Sequence, residues 1–292
     1  MKRVAIITNF NITEKAHAAI AVAQKLISHG CEVVAAVYNR ERFLKMAQDK
    51  AEFLLLPIDE VYATADMIVV LGGDGSILEA ARRSASRATP ILGINLGRLG
   101  FMAELEMRDV DEMDKLFVPD GYTLEKRSML NVELIGAKGN LRSSCYALND
   151  ACISNGSIAR IVDLELSEGG IPVTSYRADG LIVATPTGST AYSMSAGGSI
   201  VDPRVSCFCV TPICPHSLAA RPMIFPDSSV LEIKNICQRE KMLYLTVDGR
   251  TNYEMYKGDV VRISKSPLQT NLVRLKSCGF YKKLRRKMTE NE

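Results

Sequence analysis

The first residues that could do chemistry together form a short glycine-rich loop, GGDGS, at positions 72–76. Its glycines let the main chain turn tightly and approach a ligand closely. The loop follows an apolar run at 67–71 and precedes a helix-like segment, whose first amides favour an anion such as phosphate. A carboxylate held there, Asp74, could accept the proton of an attacking hydroxyl. An ordinary strand-to-helix turn is the structural alternative. The predicted phosphate loop consists of Gly72, Gly73 and Gly75.

Two commoner nucleotide-binding motifs are missing from the sequence. The P-loop pattern GxxxxGK[ST] does not occur anywhere in the chain. The dinucleotide fingerprint GxGxxG would follow the first strand, where the chain instead reads Asn9-Phe10-Asn11. The loop at 72–76 is therefore a different kind of candidate phosphate site.

A second candidate segment runs from 179 to 192 and reads DGLIVATPTGSTAY. A strand is predicted to end at Ala184, and small residues follow it. Ser189 or Thr190 is expected to cap the next helix. We expect the hydroxyls and amides of this turn to face a ligand, and its small side chains to let a flat ring lie against the main chain.

A third candidate is the pair Asn149-Asp150, at the end of a strand-like run at 146–148. An amide side chain offers both donors and acceptors to a base edge or a sugar, and a carboxylate can accept from both hydroxyls of a ribose. Since Asn-Asp is also a common turn dipeptide, the pair alone is a weak signal.

The elements that must position these residues follow two patterns. In the first third of the chain, strands predicted at 4–8, 31–37, 67–71 and 90–94 alternate with helices that begin near Thr13 and at Ser76. This alternation predicts a parallel sheet covered on both faces, with ligands at the carboxyl ends of the strands. After about Gly121, short strand-like runs continue to 275, interrupted by one helical signal at 189–196.

The predicted fold class is therefore an α/β N-terminal domain with a parallel sheet, followed by a mostly β, sandwich-like C-terminal domain. The expected bounds are 1–124 for the first domain, 125–270 for the second, and 271–292 for a strand and basic helix that return to the first. The charge run in this last segment is interpreted as the exposed face of a helix, with cations near its C-terminal end. Its basic residues are Lys282, Lys283, Arg285, Arg286 and Lys287.

Composition narrows the function classes. The chain has 292 residues, 47% of them hydrophobic, and a net charge of only +3, which predicts a protein with a real core and no nucleic-acid partner. No apolar run approaches the roughly 20 residues that span a bilayer, and the run at 4–7 is too short for a signal-peptide core. We therefore expect a cytoplasmic protein without a membrane partner.

The eight cysteines are predicted to be free thiols, because they are scattered through apolar segments. Cys207, Cys209 and Cys214 lie near His216, but their spacing fits no common zinc pattern. No protein metal site is predicted.

Taken together, the motifs resemble those of the NAD kinase (ATP-NAD kinase) family, of bacterial type. The order and spacing of the motifs hold over almost the whole chain, and TPTGSTAY at 185–192 is the most specific, since GGDG also occurs in diacylglycerol-type lipid kinases and 6-phosphofructokinases. Asp150 stands where Glu is frequent in the family, and Ser199 where Pro is frequent. The matching segments are GGDG at 72–75, GRLGF at 97–101, ND at 149–150, RADG at 177–180, TPTGSTAYSMSAGG at 185–198, PHSL at 215–218, RP at 221–222 and DGR at 248–250.

The resemblance implies ATP-dependent phosphorylation of the 2′-hydroxyl of the adenosine ribose of NAD⁺, giving NADP⁺ and ADP, with Mg²⁺ arriving on ATP. Asp74 would be the proton acceptor, residues 125–270 the NAD-binding domain, and the protein a homo-oligomer, a dimer or a tetramer. NAD-binding residues by likeness would be Asp74, Gly75, Asn149, Asp150, Arg160, Arg177, Asp179, Thr190, Ala191, Tyr192, Ser193, Met194, Ser195 and Arg250. Further candidates are Phe101, Asp248 and His216, the last being equally compatible with a structural role.

Two other functions are compatible with parts of the sequence. A diacylglycerol-type lipid kinase would share GGDG, but the segment 185–192 and the lack of an amphipathic membrane-binding segment argue against it. A non-catalytic sensor of NAD or NADP would not require a carboxylate such as Asp74. The sequence leaves open ATP or polyphosphate as donor, and NAD⁺ or NADH as acceptor, with Arg177 favouring NAD⁺.

Overall fold

The computed structural model describes residues 1–42, 52–97, 100–156, 161–217, 219–238, 242–276 and 279–289. The chain divides into two compact units, which we call the first unit (Met1–Lys126 and Thr270–Glu292) and the second unit (Arg127–Gln269). No helix among the described residues is long and apolar enough to cross a bilayer. The seven cysteines within these ranges are free, and Cys278 lies outside them.

The first unit alternates strands and helices. In chain order its elements are β1 Arg3–Ile7, α1 Thr13–Ser28, β2 Glu32–Ala36, a 3₁₀ helix at Val37–Asn39, β3 Leu54–Leu56, α2 Ile58–Thr64, β4 Met67–Leu71, α3 Asp74–Ser84, a 3₁₀ helix at Ala85–Arg87, β5 Ile91–Asn95, β6 Leu105–Glu106 and a 3₁₀ helix at Met107–Phe117. Strand β7, Thr123–Ile135, continues into the second unit.

The sheet of the first unit is parallel, in the order β3-β2-β1-β4-β5. Its strands are buried apolar runs, and all five residues of β4 are buried, as expected for strands covered on both faces. The strand order reverses between β1 and β4. In open α/β sheets such a reversal leaves a crevice beyond the carboxyl ends of the strands, where ligands bind. The loop after β4 lies at this position.

Helix α1 shows why the sheet is covered. Ala16, Ala19, Ala23 and Leu26 recur at helical spacing, and each is completely buried in the apolar core. Small side chains on this face let the helix pack closely on the sheet, and its apolar stripe is the reason the segment folds as a helix.

The second unit is built from antiparallel strands. Its elements are β8 Leu141–Ala147, β9 Asp150–Asn155, β10 Val162–Glu168, β11 Ile171–Ala178, β12 Gly180–Ala184, a 3₁₀ helix at Gly188–Thr190, α4 Tyr192–Ser195, β13 Cys207–Ile213, β14 Met223–Pro226, β15 Leu231–Asn235, β16 Leu243–Val247, β17 Thr251–Met255 and the first part of β18 Val260–Arg274. The last residues of β18 and helix α5, Phe280–Thr289, belong to the first unit.

Two sheets of the second unit enclose its core. One has the order β14-β13-β12-β9-β16-β17, and the other contains β11, β10, β15 and β18 in that order, with β7 and β8 beyond β18. Phe208 and Leu245 from the first of these sheets and Leu164 and Ile263 from the second lie in one buried cluster. The predicted fold class, an α/β domain followed by a mostly β domain, is confirmed.

Several element boundaries differ from the sequence prediction. Helix α3 begins at Asp74, two residues before the predicted start at Ser76. Thr13 is the first residue of α1 rather than its cap, and Ile12 occupies the N-cap position without a side-chain hydrogen bond. Strands β14 and β17 were not predicted. Each is short and only partly buried, so it carries little apolar periodicity.

The prediction of a solvated C-terminal helix is wrong on one face of α5. The side chain of Lys283 is only 15% exposed, and its ammonium group bonds Glu104. The guanidinium of Arg286 pairs with Glu106 at 2.6 Å. A charge run is usually a solvated face, but here acidic side chains of the same unit receive two of its cations.

We expect Leu231→Ala to lower the free energy of unfolding by about 2–5 kcal/mol, because a completely buried core side chain would leave a cavity. The matched control is Leu141→Ala, also on a strand of the second unit, where the side chain is 59% exposed. Its effect should stay within about 0.5 kcal/mol. Denaturant unfolding of both variants measures the difference. Equal losses would contradict the position of the core.

Candidate active site

The loop after β4 holds the Asp74 carboxylate in a defined orientation. Asp74 is the first residue of α3 and is partly exposed. Its Oδ2 accepts the main-chain N–H of Phe101 at 2.9 Å, and its Oδ1 accepts the N–H of Met102 at 3.1 Å. Each oxygen keeps a second acceptor position for a ligand proton. The side chain is therefore fixed by the main chain and still able to accept a hydrogen bond from outside.

Two glycines are required by close contacts in this loop. A Cβ on Gly100 would lie 2.2 Å from Oδ1 of Asp74, far inside van der Waals contact. A Cβ on Gly72 would lie 2.7 Å from Oγ of Ser76. Gly73 has nothing within 4 Å of such an atom, and both Gly73 and Gly75 are exposed. The approach of the 100–102 main chain to Asp74 thus depends on the absence of a side chain at 100.

Main-chain and hydroxyl contacts tie this loop to the sheet. Gly72 N–H donates to the carbonyl of Ile94 on β5 at 2.9 Å. The hydroxyl of Thr8, just after β1, donates to the carbonyl of Leu71 at 2.7 Å. The carboxyl ends of three neighbouring strands are therefore joined, and the N-terminus of α3 lies beyond them. The dipole of a helix favours an anion at this end.

In the second unit, the pair Asn149-Asp150 lies at the start of β9, whose first residue is Asp150. Asn149 and Asp150 are 9% and 6% exposed. The carboxylate of Asp248 accepts the N–H groups of Leu148 at 2.9 Å, Asn149 at 2.8 Å and Asp150 at 3.1 Å. Asp248 lies in the turn between β16 and β17 with a φ of 49°, a conformation that Asp tolerates better than most residues. Asp248 therefore fixes the main chain of the Asn149-Asp150 pair.

Burial is the main cause of the pKa shifts of the Asp150 and Asp248 carboxyl groups. Burial, with a smaller contribution from the Asp248 charge, raises the pKa of Asp150 to about 7. Burial also raises the pKa of Asp248, although the three amides and Arg250 oppose that rise. Asp150 is thus the member that takes up a proton near neutral pH, because Asp248 has the stronger set of donors for its ionised form.

The hydroxyls of the turn after β12 bond inside the protein, so the expectation that they face a ligand is wrong. Thr185 Oγ1 donates to the carbonyl of Leu148 at 2.6 Å. Ser189 Oγ donates to the carbonyl of Pro186 at 2.7 Å and accepts the N–H of Val201 at 3.0 Å. Ser189 does not cap α4, whose N-cap position is Ala191. These hydroxyls hold the shape of the turn.

Within residues 190–195, some side chains bond inside the protein and others are exposed. Ser193 is completely buried and its hydroxyl contacts that of Thr211 at 2.9 Å, while Thr190 Oγ1 donates to the carbonyl of Thr187 at 3.2 Å. Tyr192 is 47% exposed. Ser195 is also exposed, and Ala191 and Met194 are half-buried. The surface of this segment therefore consists of Tyr192, Ser195 and parts of Ala191 and Met194.

Close contacts explain the glycines at positions 188 and 198. A Cβ on Gly188 would lie 2.1 Å from the carbonyl oxygen of Asn149. A Cβ on Gly198 would lie 2.4 Å from Oγ of Ser193. The turn is therefore packed directly on the main chain of the Asn149-Asp150 pair. The structure brings these two predicted segments together, and β12 pairs with β9 so that Ala184 is opposite Asp150.

The phenol of Tyr192 lies near the charges of both Asp150 and Asp179. Burial, with the nearby charges of Asp150 and Asp179 among the smaller causes, raises the pKa of the Tyr192 phenol. Asp179 precedes β12, and its N–H donates to the carbonyl of Ile213 on β13 at 2.9 Å. The phenol thus lies within electrostatic reach of both carboxylates.

The remaining predicted residues are more exposed. Arg177 is 69% exposed at its side chain, and its guanidinium lies 4.0 Å from the carboxylate of Asp163. The N–H of His216 donates to the carbonyl of Arg177 at 2.9 Å, and the imidazole is exposed. Arg250 is exposed beside Asp248. Arg160 lies outside the described residues, as do Arg98 and Leu99 of the 97–101 motif.

Two residues of the site escape sequence reasoning. Met102 contributes only its main-chain N–H to Asp74, so its side-chain type gives no signal. Arg127 is 4% exposed and donates to Thr187 Oγ1 at 3.1 Å, which places a buried cation behind the turn. Its position between strand-like residues of the sequence does not predict this partner 60 residues away.

Comparison with protein families covers both units. Residues 4–122 match the ATP-NAD kinase N-terminal domain, and residues 148–275 match the ATP-NAD kinase C-terminal domain. An NAD kinase of Carboxydothermus hydrogenoformans is 44% identical over 233 residues, which are 80% of this chain and 82% of that protein. An NAD kinase of Thermoanaerobacter sp. is 37% identical, covering 99% of this chain and 100% of that protein.

Two solved kinase structures are also similar to this chain. A yeast NADH kinase complexed with NADH matches with a TM-score of 0.91 and 25% identity, covering 100% of this chain and 88% of that one. An NAD kinase from Archaeoglobus fulgidus in complex with ATP matches with a TM-score of 0.71 and 26% identity, covering 99% of this chain and 98% of that one.

The pKa of Asp150 predicts a pH-dependent stability. The folded value of about 7 lies above the unfolded value of about 3.9, so the folded state binds more protons between these values. The contribution of Asp150 to stability is therefore fully present below about pH 4 and is lost as the pH rises to about 7. Asp150→Asn removes this loss, so the variant should gain stability relative to the wild type between pH 5 and pH 8.

Urea unfolding of both proteins at these two pH values measures the change. Asp120→Asn is the matched control, because Asp120 is exposed and Asn tolerates its φ of 53°. A stability difference between Asp150→Asn and the wild type that is the same at both pH values would contradict the assignment of the raised pKa to Asp150.

Proposed function

Because this chain belongs to the ATP-NAD kinase family, we propose that it transfers the γ-phosphoryl group of ATP to the 2′-hydroxyl of the adenosine ribose of NAD⁺. The products are NADP⁺ and ADP. One observation supports this chemistry above all: two main-chain amides orient the Asp74 carboxylate at the first turn of α3.

The reaction requires one proton acceptor and one bond exchange. The 2′-oxygen forms a bond to the γ-phosphorus as the bond from that phosphorus to the bridging oxygen of ADP breaks, and the hydroxyl proton passes to Asp74. An oriented base contributes about 10²–10⁴-fold to such a step. Because the transition state spreads charge over the phosphoryl oxygens, positioning and electrostatics supply most of the remaining acceleration.

The phosphates of ATP need hydrogen-bond donors, and we assign this role to the loop after β4. Gly73 and Gly75 are exposed at the start of α3, and a Cβ on Gly73 would meet no atom within 4 Å. Helix N-termini favour anions through their amides and their dipole. Gly72 itself is buried and serves the turn, so we assign the phosphate contact to the exposed part of the loop, Gly73 to Gly75.

The second unit supports binding of the nucleoside. Asp150 can accept from the 3′-hydroxyl of the ribose when it is ionised, which leaves the 2′-hydroxyl proton for Asp74. Its side chain is shorter than the Glu frequent in the family. Asn149 has a buried Oδ1 without a hydrogen-bond partner in the described structure, and an amide of this kind suits the edge of adenine. Tyr192 offers an exposed ring beside these two residues for stacking.

Further parts of the proposal come from the family resemblance. They are NAD contacts from Gly75, Arg177, Asp179, Ala191, Met194, Ser195 and Arg250, a homo-oligomer of two or four subunits, and a cytoplasmic location. Thr190 and Ser193 are assigned to the shape of the NAD-binding turn, since their hydroxyls bond inside the protein. Mg²⁺ enters with ATP as part of the substrate and neutralises charge on the transferring group. Among the described residues, no group of three or more His, Cys, Asp or Glu side chains could hold a metal ion.

The test is the reaction itself. Purified protein, NAD⁺, ATP and Mg²⁺ should give NADP⁺, detected with an NADP-specific dehydrogenase. If ATP gives no NADP⁺, polyphosphate is the next donor. If both donors fail while NAD still binds, a non-catalytic sensor replaces the kinase and the proposal is wrong.

Asp74→Asn should lower kcat by about 10²–10⁴-fold, because an amide cannot take the hydroxyl proton. The affinity for NAD⁺, measured by calorimetry, should stay close to that of the wild type. Asp59→Asn is the matched control, since this first-unit carboxylate is 92% exposed at its side chain. Unchanged turnover in Asp74→Asn would remove Asp74 from its role as base.

A further inference from the structure

The orientation of Asp74 depends on where the main chain of residues 100–102 lies. Both of its oxygens are bonded by N–H groups of that segment, and the segment lies so close that a Cβ on Gly100 would be 2.2 Å from Oδ1. A small shift of the segment would therefore rotate or release the carboxylate. Whatever fixes residues 101–104 also fixes the proposed base.

Two cations of the C-terminal segment of the first unit, Arg274 and Lys283, hold this main chain in place. Arg274 Nη1 donates to the carbonyl of Met102 at 3.0 Å and to Glu104 at 3.1 Å. Lys283 Nζ donates to the carbonyl of Ala103 at 2.6 Å and to Glu104 at 3.3 Å. The residue that gives its N–H to Asp74, Met102, thus has its carbonyl held by a guanidinium.

Glu104 is the centre of this arrangement. Its side chain is 1% exposed. Besides the two cations, its Oε1 accepts the main-chain N–H groups of Leu275 at 3.1 Å and Lys276 at 2.8 Å. Arg274 also pairs with Glu125. A buried carboxylate with this many donors is held rigidly, because loss of any one donor leaves a costly unpaired group.

The aromatic residue of the segment is held by the same helix. The ring of Phe101 lies 6.1 Å from that of Phe280, and Lys287 Nζ lies 4.3 Å from the centroid of Phe101. Phe280, Lys283 and Lys287 are spaced i, i+3 and i+7, so they lie on one face of α5. This face contacts both Phe101 and the Ala103 carbonyl.

We propose that Arg274 and Lys283 are positioning residues for Asp74, so that α5, the basic C-terminal helix, acts in phosphoryl transfer by holding the Phe101-Met102 amides against the base. The inference rests on the proposed role of Asp74 as proton acceptor. It assigns a function to a charge run that the sequence predicts only as a solvated helix face.

The charge state of Lys283 gives the arrangement a pH dependence. Burial, with a contribution from the charge of Arg274, lowers the pKa of Lys283 to about 8, although Glu104 opposes this. The ammonium donates to Ala103 and Glu104 together below this value. As the pH rises past about 8, the amine loses charge and one donor, and the hold on the 101–104 main chain weakens.

The test compares Lys283→Met with Lys283→Arg and with Lys282→Met, the exposed neighbour on the same helix. Steady-state NADP⁺ formation gives kcat and KM for NAD⁺ between about pH 6.5 and 9.5. Lys283→Met should lower kcat by roughly 10- to 100-fold, as expected for a misplaced catalytic group, and leave KM unchanged. Lys282→Met should behave like the wild type.

The pH profile separates positioning from a general loss of structure. The wild-type kcat should fall above about pH 8, in step with Lys283. Lys283→Arg should keep most of kcat and lack this fall, because a guanidinium stays charged. This variant decides the matter if Lys283→Met does not fold. A wild-type fall that persists in Lys283→Arg, or equal kcat in Lys283→Met and Lys282→Met, would overturn the inference.

A double-mutant cycle with Asp74→Asn keeps the two proposals apart. If Lys283 acts through Asp74, Lys283→Met should cost little further turnover once the base is gone. An equal cost in both backgrounds would overturn the positioning role. Full turnover in Asp74→Asn would refute the base, whereas an inactive Asp74→Asn with an unaffected Lys283→Met would refute only the role of the C-terminal helix.

Discussion

The geometry of the candidate site depends on one interaction, the acceptance of two main-chain N–H groups by the Asp74 carboxylate. Main-chain donors orient a carboxylate without adding a competing side-chain charge, and they leave acceptor positions for a substrate hydroxyl. Three neighbouring features support this contact. The buried strands β4 and β5 place the two segments side by side, Gly100 permits the close approach, and the C-terminal residues hold the carbonyls that follow.

The second unit uses the same physical device for another purpose. Asp248, in a turn with positive φ, accepts three amides and so fixes the main chain of Asn149 and Asp150. Fixing the main chain in this way leaves the Asp150 side chain available, and its burial raises its pKa to about 7. In each unit, then, a carboxylate and nearby amides set the geometry. The two carboxylates differ in their roles. Asp74 is itself the proposed base of the first unit, whereas Asp248 supports the residues of a proposed nucleoside contact in the second.

Sequence reasoning reached the fold class and the segments of the site, because these follow from periodicity, glycines and strand ends. It placed Asp74 in the loop that follows a buried strand, and the structure has Asp74 at the first residue of α3, after the two glycines that follow β4. It misjudged the hydroxyls of 185–193, since hydroxyl side chains suit a ligand and a tight turn equally well, and here they bond carbonyls of the turn and its neighbours. It also treated Lys283 as solvated. The return of residues 271–292 to the first domain is predicted, but no local pattern encodes the contact of Lys283 with Ala103, 180 residues away.

The contact at Asp74 can be changed without removing any functional side chain. Gly100→Ala adds one methyl group, which would lie 2.2 Å from Asp74 Oδ1 and must displace the carboxylate. We expect kcat for NADP⁺ formation to fall by roughly 100-fold, as for a misplaced catalytic group, while NAD⁺ binding and the unfolding midpoint stay near those of the wild type. A Gly100→Ala variant that folds normally and turns over at the wild-type rate would contradict the central claim that the 100–102 main chain orients the base.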